Sequence, residues 1–398
     1  MIPSPSFADP FARWFSGAPP EVLQSEPVES EGGEGCCRRL IYASRGGEGE
    51  TAFENRVEAM IGFPSGPGPH PALLHLHGGM GGVEPKRVAQ WMRRGYVVIA
   101  PELPGIAKPD AETPSSGPWK ELPYGEGRWG VTPDASASTI FQGVLAALQA
   151  LALLRTQPEV DPQRIGIVGI SWGGYTTLMV SALVPGWVKA AFSNYGCGFY
   201  EWTAAGRELE KRPEAERDRW LATLDPGRRA QRITVPVFIA AATNDFFFEP
   251  PAVEATLGAL DCPAGHLYAA NDNHELSVPG GAPKENAWAV MEGDFFAWHL
   301  RGEGAPFPQV RLSRLEGFRG RLEVTAPVAS AVFWWTPDSG DWRERRWESL
   351  PLAVPAGEGE GAGVVEFAFP EALRNGGVGF ASVSQERPVT VSGRLVFF

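Results

Sequence analysis

The chain is poor in the residues that build metal sites and disulfides. Four cysteines, Cys36, Cys37, Cys197 and Cys262, occur in 398 residues, and none forms a C-x-x-C pair. The usual thiolate metal and dithiol redox motifs are therefore excluded, and four free thiols in a reducing compartment are expected. There are only six histidines, and just six of the 35 basic residues are lysine. With a formal charge of −12 and no basic run, neither a nucleic-acid backbone nor an anionic membrane surface is an expected partner. No apolar run reaches the length of a membrane span, and the longest, Gly143 to Leu154, carries Gln149. Met1 to Gly17 lacks the apolar stretch of a secretory leader, so the expected location is cytoplasmic. What remains is an ordinary globular composition, 43% hydrophobic and 21% charged. It predicts a sizeable core and a length suited to one large domain plus a smaller one.

Residues 1–36, rich in Pro, Gly, Ser and Glu, read as an N-terminal arm. Strand-like runs follow at Arg38 to Ala43 and Arg56 to Phe63. From about residue 70, short apolar strands alternate with helices. Strands are expected at Ala72 to Leu76, Tyr96 to Ala100, Arg164 to Gly169, Val188 to Ser193, Val235 to Ala241 and His266 to Ala269. Helices are expected at Pro85 to Arg94, Ser136 to Arg155, Trp172 to Leu183, Pro251 to Leu260 and Glu285 to Leu300. This rhythm predicts an α/β fold, a doubly wound, mostly parallel sheet covered by helices on both faces, over residues 37–303. Two insertions interrupt it, at about 104–134 and 195–231. Both follow C-terminal strand ends, the edge where open α/β sheets bind ligands. Residues 304–398 change to period-two alternation and predict an all-β, sandwich-like domain.

The sharpest motif is Gly169-Ile170-Ser171-Trp172-Gly173, a G-x-S-x-G between an expected strand and an expected helix. It places Ser171 on a tight turn at the sheet's C-terminal edge, with the N–H of Trp172 at a helix start and aimed at a developing oxyanion. A serine hydroxyl needs an imidazole base, and the imidazole needs a carboxylate. Asp245 follows the strand Val235 to Ala241. His274 follows the strand His266 to Ala269. The order Ser171, Asp245, His274 is the one this motif requires. Glu249 and Asp272 are rival acids, but Asp272 lies only two residues from His274. His70, in a turn, His75 and His266, in strands, and His299, at a helix end, are expected to be structural. His77-Gly78-Gly79-Met80 follows another strand and offers a second oxyanion donor, the N–H of Gly79 or Met80. His75 and His77 have a metal-like i, i+2 spacing, but no acidic or cysteine partner is near in sequence. Trp172 is expected to wall the acyl side. His77, Gly78, Trp119, Trp129 and Trp202 are candidate substrate contacts, alongside Tyr124 and Trp220, with packing as the rival role for each aromatic.

Strand–H-G-G, strand–G-I-S-W-G-G–helix, strand–T-N-D and strand–N-H, in that order, resemble the α/β-hydrolase superfamily over about residues 37 to 302. Ser171-Trp172-Gly173-Gly174-Tyr175 is similar to the dienelactone-hydrolase, acetyl-xylan-esterase and prolyl-oligopeptidase branches. The resemblance implies ester hydrolysis without a cofactor and identifies no substrate; a short acyl ester of a small molecule or carbohydrate, such as an acetylated sugar, is the expected class. It implies no oligomeric state. A prolyl-oligopeptidase-like peptidase or amidase is the alternative enzyme, weakened by the absence of a long N-terminal propeller. A non-catalytic glycan-binding protein, using the tryptophans of residues 304–398, is the alternative outside enzymes.

Overall fold

The computed structural model describes residues 9–33, 35–274, 284–354 and 363–398. Its central element is a nine-stranded sheet. In chain order the strands are β1 (Val22–Val28), β2 (Cys36–Gly46), β3 (Phe53–Phe63), β4 (His70–Leu76), β5 (Val97–Pro101), β6 (Val160–Ile170), β7 (Ala190–Asn194), β8 (Val237–Ala242) and β9 (Ala264–Ala269). Their spatial order is β1-β2-β3-β5-β4-β6-β7-β8-β9. The first three run antiparallel to their neighbours and the rest pair in parallel.

The helices are α1 (Pro85–Arg93), α2 (Thr139–Arg155), α3 (Trp172–Leu183), α4 (Gly206–Glu210), α5 (Glu214–Leu224), α6 (Pro250–Ala259) and α7 (Lys284–Phe296). The side chains of α2 and α3 pack into one apolar cluster with β4, β6 and β8. Trp91 and Met92 of α1 and Phe295 and Phe296 of α7 pack into a second cluster on the other face. A sheet apolar on both faces has to be covered on both, which is why its strands read as continuous rather than alternating apolar runs. The helix α2 is buried on almost every side. It starts where Ser138 Oγ accepts the Ile140 N–H at 3.2 Å, a conventional N-cap.

The N-terminal arm needs correction. β1 is a strand of the main sheet, paired along β2, so the sheet begins before residue 36. It escaped detection because an edge strand has one solvated face, and its sequence VLQSEPV looks polar. Pro27 is tolerated there because an edge position needs no ladder N–H. Ahead of it, Phe11 stacks on Phe141 at 4.5 Å, and Asp9 pairs with Arg229 at 2.9 Å.

Beyond α7 come β10 (Val310–Leu315), β11 (Arg319–Val324), β12 (Ser330–Thr336), β13 (Glu348–Leu352), β14 (Gly363–Ala368), β15 (Val378–Ser384), β16 (Thr390–Ser392) and β17 (Val396–Phe397). They form two antiparallel sheets, β10-β11-β14 and β13-β12-β15-β16, with β17 also on β15. Leu322 and Val324 of the first sheet pack against Ala331, Ala381 and Val383 of the second. Trp335 and Trp347 are buried packing residues. The last segment lies beside β9: Tyr268 N–H donates to Ser392 Oγ at 3.0 Å, and His266 Nε2 meets Gly393 O at 3.0 Å.

Candidate active site

Ser171 stands between β6 and α3 with φ 56° and ψ −116°, a conformation that L-residues rarely adopt. Two glycines make the turn possible. A methyl on Gly169 would collide with the Gly173 carbonyl, and one on Gly173 with the Leu76 carbonyl at the end of β4. The Ser171 N–H is tied to Asn194 O at 2.8 Å. Ser171 Oγ thus projects beyond the sheet's C-terminal edge.

The structure brings three of the sequence candidates together there. His274 Nε2 is 3.0 Å from Ser171 Oγ, and His274 Nδ1 is 2.8 Å from Asp245 Oδ2. Asp245 is 0% exposed. Its other oxygen accepts the N–H groups of Phe247 and Phe248 at 2.7 and 3.0 Å. A carboxylate only accepts, so Nδ1 carries the imidazole proton and Nε2 presents its lone pair to the serine. The ring is sandwiched by aromatics, with Tyr195 at 4.5 Å and Phe247 at 4.8 Å between centroids. The carboxylate that faces His274 Nδ1 is that of Asp245.

The oxyanion candidates separate. Trp172 N–H is the first of α3 and receives no side-chain cap. The N–H of Met80 is already donated to Ile106 O at 2.9 Å, which removes it as a donor and leaves Gly79. Tyr124 Oη lies directly against Gly79.

A cavity of about 450 Å³ opens beside Ser171. Its walls include Gly78, Gly79, Trp172, Tyr195, Tyr200 and Phe248. Trp172 cannot easily move: Tyr175, Tyr200 and Trp129 surround it at 5.3, 5.6 and 5.9 Å. Arg128 lies over both Tyr124, at 4.1 Å, and Trp172, at 5.0 Å. Burial pushes the Tyr200 phenol well above its ordinary range, so it stays protonated.

Four expected substrate contacts are corrected. His77 is a buried structural residue: its Nε2 accepts the Leu103 N–H at 2.8 Å and its Nδ1 meets Gly78 O at 2.7 Å. Burial holds its pKa below the usual histidine value. Trp119 is buried outside the cavity. Trp129 lies behind Trp172, packed at a tilt against Trp220 at 5.1 Å. Trp202 is half exposed, stacked on Phe199 at 5.7 Å and off the cavity wall. Aromatic residues in an insertion pack as readily as they bind, and sequence alone does not separate the two roles. Tyr195, Tyr200, Phe247 and Phe248 were missed. The run Phe246-Phe247-Phe248 directly after Asp245 was the available signal.

The Dienelactone hydrolase family model matches residues 57–263, just over half of the chain. The chain belongs to the dienelactone hydrolase family. It carries the α/β-hydrolase fold of that family. Among curated proteins it is 28% identical over 144 residues to the uncharacterized peptidase YtmA of Bacillus subtilis (strain 168), covering 35% of this chain and 46% of that one. The match thus spans about half the length of that relative. Acetyl xylan esterase 1 from Thermoanaerobacterium sp. JW/SL YS485 superposes with a TM-score of 0.58 at 19% identity, covering 73% of this chain and 94% of the esterase. The acetyl xylan esterase of Paenibacillus sp. R4 gives 0.56 at 20% identity, covering 74% and 96%. The Pyrococcus horikoshii acylaminoacyl peptidase gives 0.50 at 16% identity, covering 74% and 58%. These likenesses establish the family's fold here, with residues 304–398 adding the antiparallel sheets.

Proposed function

We propose that the chain is a serine carboxylic-ester hydrolase for short acyl esters, with acetylated carbohydrate as its candidate substrate class. The observation that carries the reading is the unbroken contact from Ser171 Oγ to His274 Nε2 at 3.0 Å and from His274 Nδ1 to Asp245 at 2.8 Å. Ser171 Oγ bonds to the ester carbonyl carbon while His274 Nε2 takes its proton. The tetrahedral oxyanion is held by the N–H groups of Trp172 and Gly79. The intermediate collapses, the C–O bond to the alcohol breaks, and His274 returns the proton to the leaving oxygen. Water, deprotonated by the same nitrogen, then releases the acid and restores Ser171. Asp245 fixes the tautomer and stabilises the imidazolium. No cofactor enters these steps.

The acyl limit rests on Trp172, packed too closely to yield to a long chain. The mouth is bordered by the exposed aromatics Tyr124 and Phe247, which suit the flat face of a sugar or an aromatic alcohol. The acetyl xylan esterases to which the fold is similar favour the same direction. A peptidase or amidase is the second reading, favoured by the similarity to a protein named as a peptidase.

The test compares p-nitrophenyl acetate and octanoate with wild type and Ser171→Ala, with intact mass after a fluorophosphonate. Acetate turnover and one adduct, both lost in Ser171→Ala, are expected. A preference for octanoate would overturn the acyl limit, and turnover unaffected by Ser171→Ala would overturn the mechanism. Faster cleavage of an amide than of the ester of the same acyl group would transfer the assignment to the second reading.

A further inference from the structure

We infer that residues 342–347, in the C-terminal β region, brace the two loops that carry Asp245 and His274, through Asn244 and Asn271. The inference rests on the roles proposed above for those two residues. Loops after strand ends are ordinarily the most mobile part of an α/β sheet, yet a proton relay fails when its members drift by an ångström. Here each loop reaches the same outside segment with an asparagine. Asn244, next to Asp245, points its amide nitrogen at three carbonyls, those of Arg345, Trp342 and Arg343, at 2.7, 3.2 and 3.3 Å. Asn271, three residues before His274, makes a two-point bond with the backbone of one residue. Its Oδ1 accepts the Trp347 N–H and its Nδ2 donates to the Trp347 carbonyl, both at 2.8 Å.

The loops are also tied to each other. Asn244 N–H donates to Asp272 O and Asn271 N–H to Thr243 Oγ1, each at 2.9 Å. Thr243 Oγ1 in turn donates to Asn244 Oδ1 at 2.7 Å. The brace itself is stiff. Trp347 is buried against Phe380 at 5.3 Å. Arg345 lies over Trp342 at 3.6 Å, and its guanidinium donates twice to Gly340 O, at 3.0 and 2.9 Å. Three short segments distant in sequence thus form one hydrogen-bonded unit, and the relay hangs from it. The C-terminal sheets then have a part in the chemistry without touching substrate, and Asn244 and Asn271 are positioning residues.

Asn271 has φ +56°, a conformation open to glycine, so Asn271→Gly removes the side-chain contacts while keeping the backbone accessible. We expect Asn271→Gly and Asn244→Ala to lower kcat for p-nitrophenyl acetate by about 10- to 100-fold, with KM little changed. Fluorophosphonate labelling of Ser171 should slow by the same factor. In a His274→Ala background Asn271→Gly should have no further effect, because it acts only through His274. A kcat near that of wild type in both folded single variants would overturn the brace. So would a loss that persists undiminished without His274. Amide exchange on the unaltered protein tests the same unit whether or not the variants fold. The amides of Asn244, Asn271 and Trp347 should open with one common free energy, and Trp347 exchanging far faster than the other two would refute it. Failure of wild-type labelling, with common exchange retained, would count against the proposed chemistry and not against the brace as a structural unit.

Discussion

Replacing Asp245 by Asn keeps the side chain's shape and changes one thing, the ability to accept on both oxygens. In the native arrangement one oxygen takes the N–H groups of Phe247 and Phe248 and the other faces His274 Nδ1. The amide of Asn has one oxygen. If that oxygen stays on the two backbone donors, the NH2 group faces Nδ1, and the ring must move its proton to Nε2. A protonated Nε2 donates to Ser171 Oγ and cannot take its proton. If the amide turns over instead, NH2 faces two buried N–H groups, each left without an acceptor at about 1–3 kcal/mol. Neither orientation supports the relay. The expected loss in kcat for p-nitrophenyl acetate is about 10⁴-fold, or roughly 5 kcal/mol of transition-state stabilisation. The melting temperature should stay within a few degrees of wild type, since volume and burial are conserved. Steady-state turnover at neutral pH decides it: a loss of less than about tenfold would mean that His274 does not need Asp245 for its tautomer, and the reasoning fails.

Two further outcomes are expected. Gly173→Ala should destabilise the chain by about 1–3 kcal/mol through overpacking and abolish turnover, because the added methyl meets the Leu76 carbonyl; wild-type turnover and melting temperature would refute the account of the elbow. His266 is held down to about 4 from 6.5 by burial, against the opposing effect of its contact with Gly393 O. The unfolded chain therefore takes up this proton first as pH falls. Stability present above pH 6.5 should be lost progressively towards pH 4, by at most roughly 3 kcal/mol from this residue. His266→Gln should flatten that part of the melting temperature–pH curve, and an unchanged slope would count against it.

The parallel half of the sheet was legible because its strands are buried on both faces and its helices carry clear periodicity. β4 to β9 fall within a few residues of their expected positions. β1, β10 and β13 were not, since half-exposed antiparallel strands carry a weak apolar signal. Ser171, Asp245 and His274 could be named because strand-end placement and chain order restrict them jointly. Of the cavity walls, Gly78, Gly79, Tyr124 and Trp172 could be named, and Tyr195, Tyr200, Phe247 and Phe248 could not. Trp119 and Trp129 from one insertion and Trp202 from the other have no periodic or spacing constraint, and only tertiary packing assigns them, Trp119 to the interior, Trp129 to Trp172 and Trp202 to Phe199. Met80 N–H was lost as a candidate to a partner, Ile106 O, that no local pattern announces. The asparagines at 244 and 271 looked like loop residues, and their bonds to residues 342–347 bridge about 76 to 101 positions of sequence.

The contact between β9 and the last segment has a consequence for solubility. β9 is, with β1, one of the two outermost strands of the sheet, and an outermost strand with open N–H and C=O groups is a template on which another chain can polymerise. Ser392 Oγ takes up the Tyr268 N–H, and Gly393 O takes His266, so the C-terminal segment occupies the place a foreign strand would seek. A chain stopped near residue 303 would keep every residue assigned to chemistry and yet present a bare, sticky edge, so its characteristic failure would be aggregation as much as loss of turnover.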